Sequence, residues 1–228
     1  APPRLEAWKY PLPGDSVIFR IHRVIIDVGG PAPRLIRLQM PPDQHRSTLC
    51  DHIVCGGQWA DVEWTPDGSR LAFVSSSRDH KEARLRIADA STGTVRDVLE
   101  EKVPTFFESG SGRVNWSLLP KTNEVIWWSQ RSDWGHPYLY DLGTGQLKRP
   151  ITSGSWNVSQ IVRIDDSTRT MYFTGVGREA GRDPYFRHFY GVMPDGTGLT
   201  VLTPEDADHA VTPSPSGRYM VDSYSTPV

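Results

Sequence analysis

The sequence predicts an all-β fold, a partial β-propeller of about four repeating four-stranded blades. Three observations predict it. A polar turn followed by an apolar strand recurs about every 50 residues, close to the length of one propeller blade. Each such strand is followed by a second one that runs into an Asp/Gly hairpin turn and returns. The 19 prolines and 20 glycines are spread along the chain, and no long apolar period of 3.6 residues leaves room for helix.

The elements follow in chain order. Ser16 to Val28 is strand-rich, Gly29-Gly30 is its turn, and Arg34-Leu35-Ile36-Arg37-Leu38 is the return strand, so this stretch reads as the end of an earlier blade. The first full repeat opens at Trp64-Thr65-Pro66-Asp67-Gly68, where Pro presets φ and Gly accepts a positive φ. The strand Arg70 to Val74 follows that turn. Its counterparts are Glu124-Val125-Ile126-Trp127-Trp128-Ser129, Thr170-Met171-Tyr172-Phe173-Thr174 and Arg218-Tyr219-Met220-Val221. The hairpin motif appears at Leu85 to Gly93, Tyr138 to Gly145 and Phe189 to Gly198. The return strands start at Thr94, Gln146 and Leu199. The repeats therefore divide the chain at 1–58, 59–108, 109–158 and 159–210, with the next unit beginning at 211–228. A β-sandwich also uses regular strands and turns, but has no reason to repeat one turn–strand–hairpin grammar at this interval. Aromatic residues such as Trp127, Trp128, Tyr138 and Tyr140 are expected to pack between sheets.

Composition narrows the function. A chain of 228 residues with 37% hydrophobic and 23% charged residues has a globular profile. The formal net charge of −2 and singly scattered arginines argue against nucleic acid as a partner. No apolar run approaches the roughly 20 residues that span a bilayer. No signal-peptide core is visible at Ala1-Pro2-Pro3-Arg4, so the chain reads either as cytoplasmic or as a piece that begins inside a longer protein. Cys50 and Cys55 read as ordinary thiols, with a local disulfide as the lesser option. His45 and His52 lie nearby, but a zinc site would need more ligands at suitable spacing. No metal and no cofactor is predicted.

Several segments resemble a known family. Ser129-Gln130-Arg131-Ser132-Asp133-Trp134-Gly135-His136-Pro137-Tyr138-Leu139-Tyr140-Asp141 is similar to the Ser-x-Arg-x-x-Trp-x-His-x-Tyr-Leu-Tyr-Asp blade motif of dipeptidyl peptidase IV-type serine peptidases, in the prolyl oligopeptidase clan. Ile151 to Val158 resembles that family's Leu-Thr-x-Gly-x-Trp-x-Val. Gly177-Arg178-Glu179, Asp183 to Tyr190 and Leu202 to His209 resemble its bacterial branch, and Tyr10 to Asp15 is also typical. The resemblance runs from about Trp8 to Thr226.

The resemblance implies an N-terminal propeller of about eight blades followed by a C-terminal α/β-hydrolase domain. It implies removal of N-terminal dipeptides, X-Pro or X-Ala, from peptide substrates, in a periplasmic or secreted parent protein. A propeller that gates access and helps hold the substrate's amino terminus is part of that implication, and a homodimer is one expectation for the parent.

The chemistry of such a peptidase is not expected within this chain. The Gly-x-Ser-x-Gly nucleophile elbow is absent, and Gly110-Ser111-Gly112 and Gly154-Ser155-Trp156 read as loops. No catalytic residue is assigned. His188 and His209 read as surface or blade residues and Glu100-Glu101 as a solvated blade edge. The C-terminal hydrolase domain is expected to lie outside the chain, as is the glutamate pair that binds the amine. The stretch most suited to line a substrate is Phe106 to Trp116. There Phe106, Phe107 and Trp116 offer apolar rings, while Arg113 and Asn115 offer hydrogen bonds. The bland counterpart is blade-to-blade packing of the same aromatics. A non-catalytic propeller that binds peptides or proteins on one face is the alternative function. An arc with open edge strands is expected to self-associate.

Overall fold

The computed structural model describes residues 4–5, 12, 14–44, 54–55, 58–59, 61–107, 115–165 and 167–226. The Cys50 and His45–His52 expectations fall outside them, as does the Cys55 side chain. Among the described residues, twenty strands form seven antiparallel sheets.

At the N-terminal end, β1 (Arg20–Ile21) pairs with β4 (Asp43–Gln44), and β2 (Val24–Asp27) forms a hairpin with β3 (Arg34–Arg37). A short pair, β5 (Val54–Cys55) and β6 (Gln58–Trp59), follows. Three four-stranded meanders come next. The first is β7 (Val62–Trp64), β8 (Arg70–Ser76), β9 (Glu82–Asp89) and β10 (Val95–Lys102). The second is β11 (Trp116–Leu119), β12 (Glu124–Ser129), β13 (His136–Asp141) and β14 (Leu147–Pro150). The third is β15 (Asn157–Asp165), β16 (Thr170–Val176), β17 (His188–Val192) and β18 (Thr200–Val201). The pair β19 (Asp208–Pro213) and β20 (Met220–Ser225) begins a fourth.

The all-β expectation holds, and among the described residues the one helical element is a 3-10 turn at Pro120–Thr122. The stretch read as one strand-rich run from Ser16 to Val28 is split into β1 and β2, which join different sheets.

Burial follows the strand period. Central strands are covered on both faces, so β12 is buried at all six positions, whereas β9 alternates in its first half. A face-to-face packed sheet must be apolar on both sides, which is why Trp127 and Trp128 can be neighbours and both be buried. Trp127 is completely enclosed. Trp128 places its indole against the next sheet and donates from Nε1 to the Val158 carbonyl at 2.9 Å. One continuous core links the three meanders, from Ala72 through Trp127 to Tyr190 and Val192. A smaller one seats Ile25, Ile36 and Leu38 on Leu71, Phe73 and Ala88.

In a meander, the first–second and third–fourth connections leave one end of the sheet and the second–third connections leave the other. The arc therefore has two chemically different rims. The turn rim is made of tight Asx turns. Asp89 Oδ1 accepts the backbone N–H groups of Ser91 and Thr92 at 2.9 and 2.8 Å. Asp141, Asp165 and Asp195 repeat the device in their own turns. Hydroxyl and backbone donors hold the Asp67 and Asp89 carboxyls at about 2. Neighbouring sheets touch along this rim at glycine. Gly145 has φ +72°, and a β-carbon there would lie 1.9 Å from the Val98 carbonyl oxygen.

Candidate functional site: the loop rim

The opposite rim carries the longer segments. These are Ser77–Lys81 between β8 and β9, Gln130–Gly135 between β12 and β13, and residues 177–187 between β16 and β17. The sheet-to-sheet crossings after β10, β14 and β18 leave on the same side. Arg131, Arg178, Arg182 and Arg187 stand on these segments beside aromatics such as Trp134 and Tyr185.

The crossing after β10 carries the candidate lining residues. Phe106 is 46% exposed and stacks on His80 with ring centroids 4.4 Å apart. Its carbonyl accepts a hydrogen bond from Gln130 Nε2 at 3.2 Å. Phe107 is buried and packs against Trp127 and Trp128 at 5.9 and 6.1 Å, and its N–H donates to the His80 carbonyl at 2.6 Å. Arg113 lies outside the described residues. Asn115 is buried. It donates from Nδ2 to the Ser159 carbonyl (3.0 Å) and accepts the Ile161 N–H on Oδ1 (3.1 Å), tying β15 to β11. Trp116 is buried in the core, opposite Trp127 in the β11–β12 register. Of the described candidates, Phe106 has free surface, and Phe107, Asn115 and Trp116 hold the segment in place.

Two clusters were missed by sequence reasoning. In the first, Arg131 Nη2 reaches Glu101 Oε2 at 3.0 Å and the Tyr140 hydroxyl. Its guanidinium lies 4.4 Å over the Tyr138 ring. Ser129 Oγ donates to Glu101 Oε1 at 2.7 Å. Glu101 is thus buried and paired, not the solvated edge its neighbour Glu100 suggested; an eight-residue outer strand with a register shift turns it inward against the second meander. Burial pushes the Tyr140 hydroxyl's pKa up.

In the second cluster, Arg178 pairs with Glu179 at 2.6 Å and lies over both Trp156 and Tyr190. The Tyr190 hydroxyl donates to Glu179 Oε1 at 3.2 Å. Its pKa is raised by burial and by that carboxylate. The usable signals were Ser129-x-Arg131 and Arg178-Glu179, both inside motifs already singled out.

A cavity of about 300 Å³ opens near this rim between β4 and the β8–β9 hairpin. Its charges are already matched. Arg23 and Arg86 reach the two oxygens of Asp43 at 2.9 and 3.4 Å, and Ser75 Oγ donates to the same carboxylate at 2.9 Å. Among the described residues, no group of three or more His, Cys, Asp or Glu side chains could hold a metal ion, and no helix is long and apolar enough to cross a membrane.

With this geometry in place, comparison with known proteins decides the family. The profile of the "Dipeptidyl peptidase IV (DPP IV) N-terminal region" matches residues 1–228. The chain belongs to that family. Curated relatives include dipeptidyl peptidase 4 of Arthroderma otae and of Trichophyton rubrum, each 32% identical over 101 residues. The match takes in 43% of this chain and 12% of theirs.

Among solved structures, Porphyromonas gingivalis dipeptidyl peptidase 4 superposes with a TM-score of 0.62 at 15% identity, over 91% of this chain and 30% of its own. A Bacteroides ovatus protein assigned as a dipeptidyl aminopeptidase IV gives 0.57 at 21% identity, over 92% and 34%. The chain thus spans about a third of these family structures' length. At such identities the likeness is one of fold, and it agrees with the propeller arc.

Proposed function

We propose that the chain is the non-catalytic propeller portion of a serine exopeptidase that removes N-terminal dipeptides, X-Pro or X-Ala, from peptides. In this reading the loop rim gates access and helps bind the substrate. The main support is family membership across residues 1–228, joined to a rim where Phe106 and the arginines stand exposed or half-exposed. Phe106 and Arg113 would meet the peptide. Phe107, Asn115 and Trp116 would fix the segment that presents them. The nucleophile would belong to a hydrolase domain outside these residues, so the chain alone is expected to be inactive. The parent protein would act in the periplasm or outside the cell. Alone, the arc would self-associate through the apolar residues exposed at its two ends, Val24, Ile26 and Leu35 at one and Val221 and Tyr224 at the other.

The test is hydrolysis of a chromogenic Gly-Pro substrate by the intact protein, with the chain alone as control. Activity confined to the intact protein supports the reading, and Phe106→Ala should then raise KM several-fold with kcat little changed. An intact, folded protein without activity would replace it with a stand-alone interaction module that binds peptides or proteins. A concentration-independent monomer mass for the chain alone would contradict self-association.

A further inference from the structure

Two buried histidines meet where the third meander joins β19–β20. His188 opens β17, His209 lies in β19, and their ring centroids are 5.5 Å apart. Their exposures are 2% and 0%. The two rings have different hydrogen-bond surroundings. His209 Nδ1 lies 2.7 Å from Asp222 Oδ2, and Nε2 lies 3.2 Å from the Glu205 carbonyl. A carbonyl and a carboxylate accept hydrogen bonds, so His209 meets an acceptor at each ring nitrogen. His188 Nδ1 faces Arg182 Nη1 at 3.4 Å. A guanidinium only donates, so Nδ1 must keep its lone pair and His188 is neutral. Its remaining nitrogen, Nε2, is buried with no hydrogen-bond partner.

Every element packed there contributes charge. The β16–β17 loop brings Arg182 and Glu179, and the crossing after β18 brings Asp206. Burial, Arg182 and His209 push the His188 pKa down, in that order, while Glu179 and Asp206 oppose them. Asp222 on β20 is engaged by His209, and Asp208 on β19 by Arg187 at 2.6 Å. Tyr224 also packs on the His209 ring, with ring centroids 5.5 Å apart.

We propose that His188, Arg182 and His209 form an acid-sensitive latch between the third meander and β19–β20. The latch is independent of the peptidase reading. Protonating His188 turns its Nδ1 from acceptor to donor in front of a donor, and places a new cation beside Arg182. The junction then opens. The sign is fixed by the lowered value: His188 in the open state takes up its proton near the ordinary 6.5, before the closed state does. The closed form is therefore fully favoured above about pH 6.5 and loses ground below it.

The test is hydrogen exchange by mass spectrometry on the intact protein between pH 7.5 and 5.5, corrected for intrinsic exchange. Protection of β19–β20, taken relative to β8–β10, should fall by up to about tenfold, the limit set by one group titrating near 6.5 in the open state. His188→Gln should remove that fall. If His188→Gln does not fold, Arg182→Met serves. It lessens the depression of the His188 pKa and should shrink the fall. A flat ratio in the natural protein, or an undiminished fall in a folded variant, overturns the latch.

Discussion

The junction between the second and third meanders and the one between the third meander and β19–β20 share one backbone template. In the first, the Gly135 N–H donates to Asn157 Oδ1 (2.7 Å) and the Val158 N–H to the Gly135 carbonyl (2.8 Å). In the second, the Arg187 N–H donates to Asp208 Oδ1 (3.0 Å) and the His209 N–H to the Arg187 carbonyl (3.0 Å). The filling differs. His136 has both nitrogens satisfied, by Thr152 Oγ1 at 2.8 Å and the Gly154 carbonyl at 3.0 Å, and its ring meets Trp156 edge-on at 5.0 Å. At the matching places the second junction has His188, Ala207 and His209. A repeated backbone plan can thus carry a histidine with both nitrogens hydrogen-bonded in one seam and a histidine with an unpartnered buried nitrogen in the next.

Removing the aromatic filling should have the largest effect. Trp156 is buried against Phe173 (6.1 Å) and Tyr190 (5.9 Å) as well as His136. Trp156→Ala should cost about 3–5 kcal/mol in urea denaturation. A loss below about 1 kcal/mol would mean that backbone pairing, not the aromatic seam, holds these sheets together.

The turn rim supplies the next effect. Glu124 is bound by Lys148 at 2.7 Å within its own meander, and by Arg169 at 2.9 Å from the third. Burial alone would raise its pKa, but hydrogen bonds from Lys148, Thr122 and Arg169 hold it at about 2, against an ordinary 4.5. A depressed carboxyl stabilises the fold above the unfolded value. That contribution, at most about 3 kcal/mol, should disappear as pH falls from 4.5 toward 2. Glu124→Gln should flatten this acid limb of the stability curve. An unchanged limb would assign it to other carboxylates.

How much of this was legible follows from which patterns are local. The second, third and fourth strands of each meander announced themselves, because each is bounded by a Pro/Asp/Gly turn a few residues away. The first strands did not. β15, for one, pairs with two register shifts that blur its alternation. The packing roles of Phe107 and Trp116 were legible as the bland alternative. Asn115 was not, since its partners lie on β15, far along the chain. The burial of Glu101 and of the His188–His209 pair depends on which sheets meet, and no local pattern encodes that.

A smaller effect tests how closely the first junction is fitted. A β-carbon on Gly135 would come within 2.1 Å of the Trp128 ring. Gly135→Ala should therefore displace that indole and its bond to Val158, at a cost of about 1–3 kcal/mol. Loss of the native tryptophan fluorescence maximum should accompany it. If the variant is as stable as the parent, the indole has room to move and the seam is looser than its distances suggest.

The smallest change in stability belongs to the substitution that makes the second junction most like the first. His209→Val puts at β19 the residue that β15 carries at the matching position, Val158. It removes a partner from Asp222, whose side chain is 28% exposed, so water can take over that bond and the loss at neutral pH should stay the smallest of the four. It also removes the ring that faces His188 at 5.5 Å, one of the groups that push the His188 pKa down. The acid sensitivity of the junction should then shrink even though stability at pH 7.5 barely moves. The two readouts separate the contributions of the ring. A large loss at pH 7.5 would make His209 a packing residue like Trp156. A small loss with reduced acid sensitivity would make it part of the charge balance that sets this junction apart from the other.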